Sequence, residues 1–353
     1  MRILYATKSW STHDQRFLDA WKDAGFEVRS ISMNEVEPEF ENSERFHDRL
    51  RTAIAEFAPD VVHAGPLSDV APFVVSVWTG PLIAMSWGFD LLRDIERQPR
   101  VREAVAGVLR RADQVVVDND APALVALELG ADASAIAQFP WGIDLEAFAP
   151  GRSALRSSLG WKSSNFVILS MRRHEAIYNV ETVVRGFIRA AASAPQLRLL
   201  LAGSGSHTPA LQALLEDAEL EDRAVFLGEV RQPELPAVYR AADMYVSASV
   251  VDGSSVSLLE AMGTGIPTCV SDIAGNAQWI AGGRGLSFEV GDDGSLSELI
   301  LSLVEDRAQG GDVSRSMARA AREFVAMNAD WGKSGTKLAA IAAAAIERNR
   351  AHP

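Results

Sequence analysis

The sequence predicts an α/β protein of two doubly wound, parallel-sheet domains facing across a cleft. Short β-branched or apolar runs alternate with helical patterns along nearly all of the chain, the order that builds parallel sheets with helices on both faces. At 353 residues the chain is long for one domain and comfortable for two, each able to bury its own core. Turn-forming residues gather near the middle, at Phe139-Pro140-Trp141-Gly142-Ile143-Asp144, and a second α/β series begins after them.

In the first series, residues 2–6 read as a strand, 14–24 as a helix, 27–32 as a strand and 45–57 as a helix. Short apolar strands follow at 61–62, 82–85 and 115–117, with a helix over 121–129. The second series runs strand 166–170, helix 180–191, strand 197–202, helix 210–215, strand 224–227 and helix 235–241. The Ala-rich stretch 338–346 is a strong helix former. The expected domains are therefore 1–150 and 151–330, followed by a helical segment 331–353. Ligands of such sheets bind beyond the carboxyl ends of the strands.

Composition excludes several functions. A net charge of −13 argues against a general affinity for nucleic acid, which depends on neutralising phosphates. The one cysteine, Cys269, falls in a predicted buried strand, so neither an internal disulfide nor a cysteine-rich metal site can form. The reducing cytoplasm is the expected compartment. No apolar run approaches the ~20 residues of a membrane-spanning helix. The opening MRILYATKSW enters a strand-like run without a signal peptide's long apolar centre.

The most informative stretch is 245–275, YVSASVVDGSSVSLLEAMGTGIPTCVSDIAG. A β-branched run breaks at Asp252-Gly253-Ser254-Ser255, continues with Val256, Leu258, Leu259 and Met262 at helical spacing, and closes on Gly263 and Gly265 before a second short strand. A helix beginning near Ser254 or Ser255 presents free backbone N–H groups and a positive dipole end, which suits a phosphate. Asp252 precedes that helix and Glu260 lies inside it, so one carboxylate can face a ligand in front while the other reaches in from the side. Carboxylates beside a phosphate site commonly hold sugar hydroxyls. In isolation, the pair reads as an N-cap and a solvated helix residue.

The flanking pattern changes that reading. A carboxylate, seven residues, Glu-Ala-Met, small glycines, Pro267 and Ser-Asp-Ile-x-Gly resemble the nucleotide-sugar motif of the retaining glycosyltransferases of family 4 (GT4, glycosyl transferases group 1). The resemblance extends over most of the chain. Phe139 to Asp144 with Phe148 is similar to the family's interdomain segment, Leu201-Ala202-Gly203-Ser204-Gly205 to its Gly-rich turn, and Phe226-Leu227-Gly228 with Tyr239 and Asp243 to the next unit. It implies the GT-B architecture, with a Rossmann-like acceptor-binding first domain, a Rossmann-like nucleotide-sugar-binding second domain, and a last helix crossing back to the first.

Carried over position by position, the resemblance implies that Glu260 binds ribose hydroxyls and Asp252 the transferred sugar. The backbone of Gly253, Ser254, Ser255 and Val256 would hold the diphosphate, with Gly203 and the backbone near Val230 completing the donor site. The family normally has Glu at Asp252, which is one methylene shorter. It also has Arg and then Lys after the first strand of the second domain, which together neutralise the leaving diphosphate. Here Arg172 stands in place, followed by Arg173, His174, Glu175, Ala176, Ile177, Tyr178 and Asn179, with no Lys before Arg185. Arg172 is the expected catalytic phosphate residue and Arg173 a helper or a surface residue; Glu175 would repel a diphosphate unless turned away.

On the acceptor side, Trp87 stands where many members carry His, and Asp90 reads as a hydroxyl contact or a helix cap. His63 at a strand's end, and His13 with Asp14 in the first βα loop, are further candidates, because His titrates near neutral pH. The arginines Arg93, Arg97, Arg100, Arg102, Arg110 and Arg111 could attract a phosphorylated acceptor or give weak peripheral membrane contact, although Asp94, Glu96 and Glu103 make a salt-bridged face the better reading. There is no Cys/His cluster and no Asp-x-Asp placed as in metal-dependent sugar transferases, so no metal and no cofactor are expected. The resemblance implies a retaining, front-face transfer from a nucleoside-diphosphate sugar, UDP- or GDP-linked, to an acceptor hydroxyl. A nucleotide-sugar epimerase on the same frame and a non-catalytic or unusual-donor relative remain as alternatives.

Overall fold

The computed structural model describes residues 1–35 and 43–351 as two compact units, one of 1–141 with 331–351 and one of 142–330. Residues 352 and 353 of the expected last segment lie outside the described residues. The division falls at Trp141/Gly142 rather than at 150/151. The reason is packing: Ile143 donates its N–H to the Ala329 carbonyl at 2.8 Å, and Ile143 and Phe148 are buried in the core of the second unit.

The first unit contains β1 (Arg2–Thr7), β2 (Glu27–Ser32), β3 (Val61–Ala64), β4 (Leu82–Met85), β5 (Gln114–Val117) and β6 (Ile136–Gln138). They form one parallel sheet in the order β2-β1-β3-β4-β5-β6. Leu4, Ala6, Val62, Ala64, Leu82 and Ala84 point into one core, while Tyr5 and His63, neighbours in register, are buried on the other face. The C-terminal helix Trp331–Ala351 packs in this unit, with the Trp331 ring 5.5 Å from Phe17 and the Arg348 guanidinium paired with Asp132.

The second unit contains β7 (Phe166–Met171), β8 (Leu197–Ala202), β9 (Ala224–Gly228), β10 (Met244–Ser247), β11 (Thr268–Ser271) and β12 (Leu286–Phe288). Its parallel sheet is ordered β12-β11-β10-β7-β8-β9. Alternate residues feed two cores: Phe166, Ile168, Leu199 and Met244 on one face, Val167, Leu169, Leu200 and Tyr245 on the other. Cys269 is buried in β11, as expected. From β7 the chain winds outward through β8 and β9, then returns to build β10, β11 and β12 on the other side. The carboxyl ends of β7 and β10 therefore flank the topological switch point, where open α/β sheets leave a crevice for ligands.

Candidate active site

The switch point brings the informative residues together. Arg172 follows β7, and Asp252 to Ser255 form the turn after β10 that leads into the helix Val256–Thr264. The Arg172 guanidinium donates from Nη1 to the hydroxyls of Ser255 at 2.8 Å and Ser257 at 3.0 Å, and from Nη2 to the Asp252 carboxylate. Its face lies 4.3 Å from the Tyr178 ring centroid. Its side chain is only 9% exposed, and its Nε is buried with no hydrogen-bond partner. Burial works against the charge, but Asp252, Tyr245 and Tyr178 outweigh it and raise the pKa above its ordinary value, so the group stays cationic.

The helix start offers what the sequence suggests. Ser255 occupies the N-cap without a side-chain cap bond, and there is no acidic residue in the first turn. The helix N–H groups are thus not spent on a side-chain cap, and its dipole has no carboxylate of its own. Asp252 is not the cap; it pairs with Arg172. Ser254 Oγ accepts from Trp279 Nε1 at 3.2 Å, which fixes the turn from behind. A Cβ on Gly275 would lie 2.2 Å from the Asp252 carbonyl oxygen, so glycine is required where the next helix supports this turn.

Glu260 is not a solvated helix residue either. It is 6% exposed, and its Oε2 accepts from the Tyr239 hydroxyl at 2.8 Å. Tyr245, in β10, completes the network through Ser257 at 2.8 Å. Gly203, with φ of +118°, brings the β8 turn against the end of β7: a Cβ there would meet the Arg172 carbonyl oxygen at 2.3 Å. Val230 packs half-buried on the core that holds Tyr239. Glu175 is turned away from Arg172, accepting from the Ser206 N–H at 3.0 Å and hydroxyl at 2.7 Å, bonds that lower its pKa. Arg173 is exposed and does not join the Arg172 network. Sequence reasoning missed Ser257, Trp279 and the role of Tyr178; the aromatic at 178 within a polar turn was the available signal.

The acceptor-side candidates fare differently, and three are corrected. His63 belongs to β3 itself and is fully buried, with Tyr5 and Phe17 around it and its Nδ1 accepting from Trp21 Nε1 at 3.1 Å; burial lowers its pKa to about 3. Asp14 forms a capping box with Ser11 and accepts from the Tyr5 hydroxyl at 2.9 Å. Asp90 is fully buried and accepts from Ser86 Oγ at 2.6 Å and from the N–H groups of Leu67, Trp87 and Leu91; burial raises its pKa to about 6, against those bonds. All three serve the fold. His13 and Trp87 do meet, each in ring contact with Trp141 at 5.1 and 4.8 Å.

Arg93 pairs with Asp94, and Arg111 with Asp113, so part of the basic stretch is a salt-bridged face. An Asp-x-Asp does follow a strand, Asp118-Asn119-Asp120 after β5. Its central Asn119 caps the helix Asp120–Glu128, and Asp120 accepts from Gln138 at 2.6 Å. Among the described residues, no group of three His, Cys, Asp or Glu side chains is arranged to hold a metal ion, and no helix is long and apolar enough to cross a membrane.

Comparison with known proteins agrees with this geometry. Residues 151–324 match the model of the glycosyl transferases group 1 family. The chain is 28% identical over 310 residues to a D-inositol 3-phosphate glycosyltransferase of Pseudarthrobacter chlorophenolicus, covering 83% of this chain and 72% of that one. It is 26% identical over 213 residues to a GDP-mannose-dependent monoacylated alpha-(1-6)-phosphatidylinositol monomannoside mannosyltransferase of Corynebacterium glutamicum, covering 57% and 54%. Among solved structures, Anabaena HepE in complex with UDP and glucose superposes with a TM-score of 0.79 at 18% identity, over 96% of this chain and 98% of that one. Sucrose-phosphate synthase of Thermosynechococcus elongatus does so with a TM-score of 0.82 at 18% identity, over 97% and 98%. The chain is thus a glycosyltransferase of GT-B fold whose residues 151–324 form a glycosyl transferases group 1 domain.

Proposed function

We propose that the protein transfers a sugar, with retention and without a metal ion, from a UDP- or GDP-linked donor to an acceptor hydroxyl of a small molecule, glycan or lipid-linked glycan. The observation that carries this reading is the buried Arg172 beside the helix start at Ser255, with an Nε–H that no group among the described residues satisfies. A buried donor without a partner costs stability, and a phosphate oxygen is the acceptor that this cationic, dipole-flanked position favours.

In this mechanism the bond from the anomeric carbon to the diphosphate oxygen breaks, its electron pair leaving with the diphosphate. The acceptor oxygen bonds to the same face of that carbon, and its proton passes to the departing diphosphate. Arg172 and the N–H groups at the start of Val256–Thr264 stabilise the developing charge, a contribution typically among the largest in such reactions. Asp252 orients the transferred sugar by exchanging part of its pairing with Arg172 for sugar hydroxyls, and Glu260, held by Tyr239, accepts from the ribose. The named relatives and the UDP complexes of HepE support a nucleotide-sugar donor.

Thermal unfolding with UDP, GDP, ADP, TDP, CMP and their sugar conjugates, in EDTA, tests the reading. A ligand at ~100 times its dissociation constant adds roughly 2.7 kcal/mol of stability. A shift with one nucleoside diphosphate that persists in EDTA is expected; silence across the panel removes the reading. The anomeric configuration of the product, read by NMR, decides retention.

A further inference from the structure

We propose that Tyr178 is the positioning residue of the phosphate site: its ring holds the Arg172 guanidinium in place and shields one face from water, so that a lone buried cation grips the diphosphate. The inference rests on the donor-site reading above and adds a residue that the motif does not contain. The stretch between Arg172 and Arg185 holds no lysine, and within it the ring of Tyr178 packs on the guanidinium, 4.3 Å from centroid to carbon.

The backbone is shaped to bring the ring there. Ala176–Tyr178 is one turn of 3-10 helix, followed by Asn179 in the left-handed region at φ of +46°, which redirects the chain into the helix Val180–Ala191. Val250 donates its N–H to the Ile177 carbonyl at 2.9 Å, tying this turn to the segment that carries Asp252. Tyr178 also packs against the buried core, so its ring is braced from behind. The two hydroxyls and the carboxylate hold the guanidinium at Nη1 and Nη2, and the ring covers its face. A flat cation held at its edge and on its face cannot swing toward solvent when the ligand's charge changes during the reaction, and exclusion of water strengthens its pull on an anion.

The test is calorimetric titration of the full chain with UDP and GDP, their monophosphates and the parent nucleosides, using Y178F, Y178W, Y178L and R172A. Y178F and Y178W keep a ring and should stay within about twofold of the original protein, while Y178L should bind the diphosphate about tenfold more weakly and the nucleoside unchanged. In an R172A background, Y178L should have no further effect on diphosphate binding, because the two residues act as one unit. Equal diphosphate affinity in Y178L, equal losses for nucleoside and diphosphate, or an undiminished Y178L effect in R172A would each overturn the proposal. Loss in Y178W matching that in Y178L would do so too, without appeal to misfolding of the smaller variant. An original protein that binds no nucleoside diphosphate removes the donor-site reading and this proposal together; one that binds while Y178L binds equally removes only the proposal.

Discussion

The carboxyl edges of the two sheets carry similar residues and use them in opposite ways. In the second unit, Arg172, Asp252 and the start of Val256–Thr264 meet at the switch point with hydrogen-bonding capacity left over, in the Arg172 Nε and the helix start without a side-chain cap. In the first unit, Asp14 and Asp90 are absorbed by the fold, in a capping box and among four donors around one carboxylate, while His63 sits in an aromatic core with Nδ1 bonded and Nε2 buried without a partner. A charged residue at a strand end marks function when folding leaves some of its bonding unused. Where every bond is made internally, it marks stability.

Four experiments probe that contrast. The largest expected effect is in R172A, whose turnover should fall by two or more orders of magnitude, about 2.7–4 kcal/mol of transition-state stabilisation. An unchanged rate would move the role to Arg173. Next comes D90A, which orphans the donors of Ser86, Leu67, Trp87 and Leu91 and should cost about 3 kcal/mol or more of stability in denaturant titrations. A fully stable D90A that had lost acceptor turnover would break the contrast between the edges.

A smaller pair of effects divides the two carboxylates of the second unit. E260A should weaken nucleotide binding by about 1.5–3 kcal/mol, the worth of hydrogen bonds to a charged group. D252A should bind the free nucleoside diphosphate at least as tightly, because it releases Arg172, yet turn over more slowly. Equal losses of nucleotide affinity in both variants would abolish this division of roles.

The smallest effect is a pH slope in the first unit. Burial lowers the His63 pKa from 6.5 to about 3, so this contribution to stability is whole above pH 6.5 and falls as the pH drops toward 3, because only the unfolded chain takes up the proton. Burial raises the Asp90 pKa from 3.8 to about 6, so its folded state takes up a proton first, and stability gained from it grows as the pH falls from 6 to 3.8. The two slopes oppose each other between those values. D90N should unmask the His63 slope, about 1.4 kcal/mol per pH unit in that window. Identical slopes in D90N and the original protein would mean that Asp90 does not titrate there.

Much of the second unit was legible in order. Strands β7 to β11, the helices between them and the helix start near Ser255 were all anticipated, because each is a local pattern of β-branched runs, apolar spacing and glycine punctuation. The short β6 and β12 and the helices Ala71–Val77, Pro99–Arg111, Asp293–Ala308 and Asp312–Asn328 were not assigned, since their patterns are brief or stand apart from any motif. The first unit's candidates failed for a reason that no local pattern carries. His63 reads as a loop residue until β3 is seen to extend through Ala64 in register with β1, which turns the ring into the aromatic core.

Sequence alone determined the α/β alternation, the two-part division and the strand-turn-helix order around Asp252-Gly253-Ser254-Ser255, and the resemblance singled out Arg172 and Glu260 as candidates beside it. These follow from spacing within single elements and from an ordered set of motifs. Tertiary structure alone decided that Asp252 pairs with Arg172 rather than capping the helix, that Tyr239 secures Glu260, and that Tyr178 lies against the guanidinium. The first two contacts join residues 80 and 21 positions apart, and the third depends on the turn that folds Tyr178 back onto Arg172. Their geometry depends on how parallel strands cross at the switch point, and no local window of the chain encodes that crossing.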